Sequence, residues 1–165
     1  MEQQRIEAVT QILKQLYGLS CPPRGINKIV RETIFFLYEG GDSCKCSFER
    51  PHFAAARALH REVLSRGERF GGRKSQVTYD HAIPWDTLGD SLREAATSYE
   101  KMRDFLNHHV QGVVILKEED ARLSKCKLRR RLPAGAQAHD MLARYQKAGI
   151  AFEPEDEAKL RRKNP

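Results

Sequence analysis

The chain lacks any apolar run able to cross a membrane: nothing in its 165 residues approaches the roughly 18–20 apolar positions a spanning helix needs. Its opening stretch, MEQQRIEAVTQILKQL, is amphipathic and has no apolar signal core, so a cytoplasmic protein without a membrane partner is expected. Cysteine is scarce. The four residues Cys21, Cys44, Cys46 and Cys126, in a chain without a secretory signal, suggest thiols or metal ligands rather than a disulfide framework. No internal repeat is present, which excludes a solenoid. With 40% apolar and 31% charged residues the chain is not of the disordered class, and its length suits one domain with a small lobe attached.

Acidic residues are missing from 121-ARLSKCKLRRRLP-133, which carries Arg122, Lys125, Lys127, Arg129, Arg130 and Arg131. A second basic group, Arg66, Arg69, Arg73 and Lys74, lies about sixty residues earlier in the chain. Either group alone could be a solvated face. Two of them flanking one candidate site, in a chain of net charge +7, point to phosphates and hence to nucleic acid.

Hydrophobic spacing divides the chain. Ile6, Val9, Ile12, Leu13 and Leu16 form a helical stripe over residues 2–17, closed by Gly18. Residues 26–38 repeat the pattern with Ile26, Ile29, Val30, Thr33 and Leu37, and 51–66 favour a third helix. Residues 1–66 therefore read as a helical lobe, whose Phe35, Phe36 and Tyr38 suit a homodimer or protein-partner surface. After Gly67, Gly71 and Gly72 the composition changes. Residues 76–79 read as a strand, 86–109 as one helical stretch, and 113–116 as a second strand. A helix follows over 117–125, with acids in its first turn where the dipole favours them. One more helix is expected over 138–148. The expected organisation is thus a lobe at 1–66, a core at 67–150 and a mobile charged tail at 151–165.

The most pointed stretch is 76-QVTYDHAIPW-85. Neighbours on a strand face opposite sides, so Asp80 and His81 cannot both be routine surface polars of one face. Chemically, an imidazole suits a general base at neutral pH, and a carboxylate suits a hard divalent cation. Trp85 is expected as a core plug behind the hairpin, and Cys126 has no role assigned.

The string 78-TYDHAIPW-85 resembles the first motif of the HNH nucleases, in which a strand delivers Asp-His followed by an apolar residue and proline. The later 113-VVILKEEDARLSK-125 is similar to their second strand and closing helix, so the resemblance covers roughly residues 70–131. It implies an α+β, mostly α protein: a helical N-terminal lobe plus a ββα-metal core with a long helix inserted between the two strands. It also implies a metal-dependent endonuclease hydrolysing nucleic-acid phosphodiester bonds. His81 would be the general base and Asp80 a ligand of Mg²⁺ or Mn²⁺. At the family's other two positions the chain departs. The orienting asparagine would be Asn107, whereas the usual spacing points to Gln111; His108 and His109 are further candidates to face His81. The family's final histidine falls on Asp120, an acceptable ligand for Mg²⁺.

The same departures fit a decayed HNH protein that binds nucleic acid or protein without cutting, such as an accessory or inhibitor from a phage or other mobile element. On either reading Arg69, Arg73, Lys74, Lys125, Lys127, Arg129, Arg130 and Arg131 would hold the phosphate backbone, DNA being favoured over RNA. Separately, Cys21, Cys44, Cys46 and His52 could form a structural zinc site, with free thiols as the alternative.

Overall fold

The structure is a computed structural model that describes residues 2–19, 23–39, 45–47, 50–68 and 76–162. In chain order its helices are α1 (Glu2–Tyr17), α2 (Pro23–Leu37), α3 (Ala54–Ser65), α4 (Gly89–Ala95), α5 (Tyr99–His109), α6 (Lys117–Lys125), α7 (Ala143–Lys147) and α8 (Pro154–Arg162). Two strands, β1 (Val77–His81) and β2 (Gly112–Leu116), form a small antiparallel sheet, and a 3₁₀ turn covers Trp85–Thr87. The described residues are therefore mostly helical, with a small two-stranded antiparallel sheet. No described helix is long and apolar enough to cross a membrane.

Two compact units form: Met1–Ser43 with Leu88–Asn107, and Cys44–Thr87 with His108–Pro165. The boundary expected at residue 66 moves for a physical reason. Apolar faces decide it, and Ala56 on α3 buries against Val77 and Val114 of the two strands, placing α3 in the second unit. The helical stretch between the strands goes largely to the first.

In the first unit α1 packs against α2 and α4. Ile6, Val9 and Leu13 on α1 are buried, as are Ile26, Val30 and Ile34 on α2, each set at the spacing of one helical face. The single helical stretch expected over 86–109 is broken. Thr97 Oγ1 donates to the Glu94 carbonyl at 2.8 Å and Ser98 Oγ accepts the Lys101 N–H at 3.3 Å, so neighbouring hydroxyls end α4 and start α5.

In the second unit β1 and β2 pair in the register Val77↔Leu116 through His81↔Gly112. Residues 51–53 extend this pairing: the Val114 N–H donates to the Pro51 carbonyl at 2.9 Å, and the Phe53 N–H to the Val114 carbonyl at 3.0 Å. Helix α6 follows β2 without a loop and packs back on both strands. Its start is set by Glu119, whose carboxylate accepts the Leu116 N–H at 2.8 Å.

The tail expected to be mobile is the helix α8. Pro154 opens it, a position where the missing N–H is harmless, and three acids fill its first turn. What holds it down is long-range. Asp156, 2% exposed, takes a two-pronged bond from Arg57 on α3, with Nε–Oδ2 and Nη2–Oδ1 both 2.9 Å. Phe152 stacks on Phe53 with ring centroids 3.6 Å apart.

Beside this ion pair His52 and His60 are both buried, with His52 Nε2 3.0 Å from His60 Nδ1. His52 Nδ1 donates to the Arg50 carbonyl at 2.7 Å, which leaves Nε2 as acceptor. Burial pushes the His52 imidazole down to about 4, against the opposing pull of the Arg50 carbonyl. An unfolded histidine titrates near 6.5, so between those values the unfolded chain binds a proton that the folded chain refuses. Stability from this group is full above about pH 6.5 and is lost as the pH falls toward 4, amounting to about 3 kcal/mol in all. Denaturation followed through Trp85, the sole tryptophan, should show this fall between pH 7 and 4.5. A midpoint unmoved across that range would contradict the assignment.

Candidate functional site

Asp80 and His81, the last two residues of β1, face opposite ways as strand alternation requires. The His81 ring meets two aromatic neighbours: Tyr79 at a centroid distance of 5.0 Å and Trp85 at 5.0 Å, both nearly edge-on. The Tyr79 hydroxyl lies 3.3 Å from His81 Nε2. Tyr79 is itself fixed, because a Cβ on Gly112 would lie 2.2 Å from its ring; glycine there lets the ring settle over β2. The Arg50 guanidinium stands 5.1 Å from the same ring centroid and the Lys45 ammonium 5.9 Å. Trp85, expected as a core plug, is half-buried, with its indole N–H buried and unbonded.

Asp80 turns the other way, to α7. Arg144 is fully buried, and its Nη2 donates to Asp80 Oδ2 and to the His81 carbonyl. Its Nε donates to the Ala82 carbonyl at 3.1 Å, and Nη1 reaches the carbonyls of Leu128 and Arg129 at 3.4 and 3.3 Å. The Tyr145 hydroxyl donates to Asp80 Oδ2 at 2.9 Å. Burial, reinforced by the Asp80 charge, raises the Tyr145 phenol well above its usual range, so it remains a donor. The remaining oxygen, Asp80 Oδ1, accepts the His81 N–H at 3.0 Å. One guanidinium thus fixes the last two residues of β1 and the one that follows, and ties them to the chain beyond α6. Asp140 prepares this arrangement by accepting the Leu142 and Ala143 N–H groups at 3.0 and 3.1 Å, which starts α7.

The basic segment lies where Arg144 anchors it. Lys125, Lys127, Arg129, Arg130 and Arg131 are all exposed. Helix α6 ends with Lys127 N–H on the Ser124 carbonyl at 3.0 Å and Leu128 N–H on the Leu123 carbonyl at 2.8 Å, the paired bonds of a Schellman end. That geometry requires a left-handed residue, and a lysine fills it: Lys127 has φ 59°, alone among described non-glycine residues. Arg129 meets Asp120 at 3.3 Å, and Arg130 comes within 3.8 Å of Asp86.

The other expected residues are placed as follows. Asn107 belongs to the first unit, where its Oδ1 accepts the Tyr38 hydroxyl at 2.8 Å. The Gln111 carbonyl accepts the Ala82 N–H at 2.8 Å, but its side-chain amide folds onto the Gly112 carbonyl, also at 2.8 Å. The group beside His81 Nε2 is Tyr79 instead. His109 is held below the usual histidine range by burial, with His108 and His139 close enough to add to the effect. Arg69, Arg73, Lys74, Cys21 and Cys44 lie outside the described residues. Cys46 packs against the Ala56–Val77–Val114 cluster, while both ring nitrogens of His52 are engaged as described above.

The donor set does not fit the divalent metal that the HNH resemblance implies. Asp80 is neutralised by a buried guanidinium and both its oxygens accept hydrogen bonds; Asp120 pairs with Arg129. Among the described residues no three His, Cys, Asp or Glu side chains converge to hold a metal ion.

Sequence reasoning missed Arg144 and Tyr145. Their only local signal is a charged residue placed amid the apolar positions of 141-MLARY-145, which reads equally well as a solvated helix face. Comparison with protein-family models, curated proteins and solved structures finds no match to this chain.

The two acids should separate sharply in stability. Asp80→Ala leaves Arg144 buried without its counter-charge and should cost about 3 kcal/mol. Asp120→Ala breaks a more exposed pair and should cost less than about 1 kcal/mol. Urea midpoints of the two variants test this, and equal losses would contradict the central role of Asp80.

Proposed function

We propose that this protein binds nucleic acid, DNA ahead of RNA, without cutting it, on a hairpin–helix unit that resembles the HNH core. The observation that carries the reading is the placement of Arg144. It holds the Asp80–His81–Ala82 turn and the start of the basic segment on one guanidinium, so five exposed cations are presented from a rigid base. Rigid presentation lowers the ordering loss on binding a phosphate backbone. Lys127 supports the reading further. Glycine would be the easier residue at φ 59°, and the lysine there contributes an ammonium that glycine cannot. Because such contacts go to phosphate, they position the protein and do not read bases.

A second reading, an HNH-type endonuclease with His81 as general base, is favoured by the fixing of the half-exposed His81 ring between Tyr79 and Trp85. Asp80, tied to Arg144, counts against it.

Supercoiled plasmid and labelled oligonucleotides separate the two. Binding should be tight at low salt and fall steeply with salt, and the plasmid should stay supercoiled in Mg²⁺ or Mn²⁺. Nicking that disappears in His81→Ala would establish the nuclease instead; absence of binding at low salt would refute both. Lys127→Gly should raise stability by about 1 kcal/mol through relief of the left-handed lysine. The same change should weaken binding and lower the salt slope by about 1. Thermal melts and anisotropy titrations on that variant check the opposed signs.

A further inference from the structure

We propose that the Arg144 guanidinium is the resident cation of the Asp80–His81 turn, and that this site therefore takes no divalent metal and works independently of one. The surroundings of the guanidinium are those a hard cation would collect. Six oxygens face it: Asp80 Oδ2, the carbonyls of His81, Ala82, Leu128 and Arg129, and the Tyr145 hydroxyl. A carboxylate, main-chain carbonyls and a hydroxyl form an all-oxygen shell, the donor chemistry that Mg²⁺ and Ca²⁺ prefer. Here it is filled by a planar organic cation whose five N–H groups serve these six oxygens, Nη2 facing three of them.

Charge makes the two occupants exclusive. Asp80 and Arg144 together are neutral, and Arg144 is fully buried, so it cannot swing out to water when a second cation arrives. A divalent ion drawn to Asp80 would meet a fixed positive charge at close range in a region of weak screening. Asp120, the other acid expected to bind metal, faces the guanidinium of Arg129. Tyr145 keeps its proton and so offers a donor where a ligand would be needed. The cation is also tethered: it is covalently part of α7 and holds residues 80–82 and 128–129 to that helix through hydrogen bonds and an ion pair. Arg144 is in this sense a positioning residue for His81.

The test uses the intact wild-type chain and does not depend on nucleic-acid binding. Ring resonances of the histidines are recorded by NMR while Mn²⁺ is added to one equivalent, with His81 assigned through His81→Gln. The His81 signals should remain as sharp as those of buried His52. Selective broadening of His81 at equimolar Mn²⁺ would overturn the proposal. Arg144→Lys keeps the charge and loses most of the donors; it should lower the melting temperature while leaving His81 insensitive to Mn²⁺. Failure of that variant to fold leaves the wild-type result decisive. If the chain binds no nucleic acid, the function proposed above falls, while the Mn²⁺ measurement still answers this question.

Discussion

The buried ion pair between Arg144 and Asp80 is the interaction on which the second unit's candidate site depends. A guanidinium out of contact with water is tolerable only when a carboxylate and enough acceptors surround it. Here they are drawn from two separate stretches, 80–82 and 128–129. Because the loss of either partner leaves an uncompensated charge, the arrangement is held all or none. The turn bearing His81 and the segment bearing the cations inherit that rigidity.

The pair also separates the frame from the chemistry. Two antiparallel strands, the second followed at once by a helix packed on both, make the frame. The acid next to the histidine points to α7, and the histidine points to Tyr79 and Trp85. A frame of this kind supports binding as readily as cleavage, since a site's activity follows from its donor set and not from the path of the chain.

A second buried pair, Arg57 with Asp156, does for α8 what Arg144 does for the turn. Both pairs use a C-terminal segment to close on residues far earlier in the chain, and both lie in the same compact unit. The neighbouring His52–His60 contact adds a group whose burial favours its neutral form. Buried charge pairs thus work alongside apolar contacts such as Phe53–Phe152 in fastening the C-terminal part of this unit.

Local pattern in the sequence determined most of the elements. The stripes running from Ile6 to Leu16 and from Ile26 to Leu37 mark α1 and α2, and the β-branched runs mark β1 and β2. The acids of 118–120 mark the start of α6, and the basic segment is visible as composition alone. Those properties are carried by neighbours within a few residues and need no partner from elsewhere. Tertiary structure alone decided the rest. Whether Asp80 serves a metal or a guanidinium turns on Arg144, 64 positions later. Whether 154–162 is a tail or a helix turns on Arg57, 99 positions before Asp156. Which unit owns α3 turns on what Ala56 touches. The physical reason is the same each time: a charged side chain reads as solvated until the partner that lets it be buried is known, and that partner is distant in sequence.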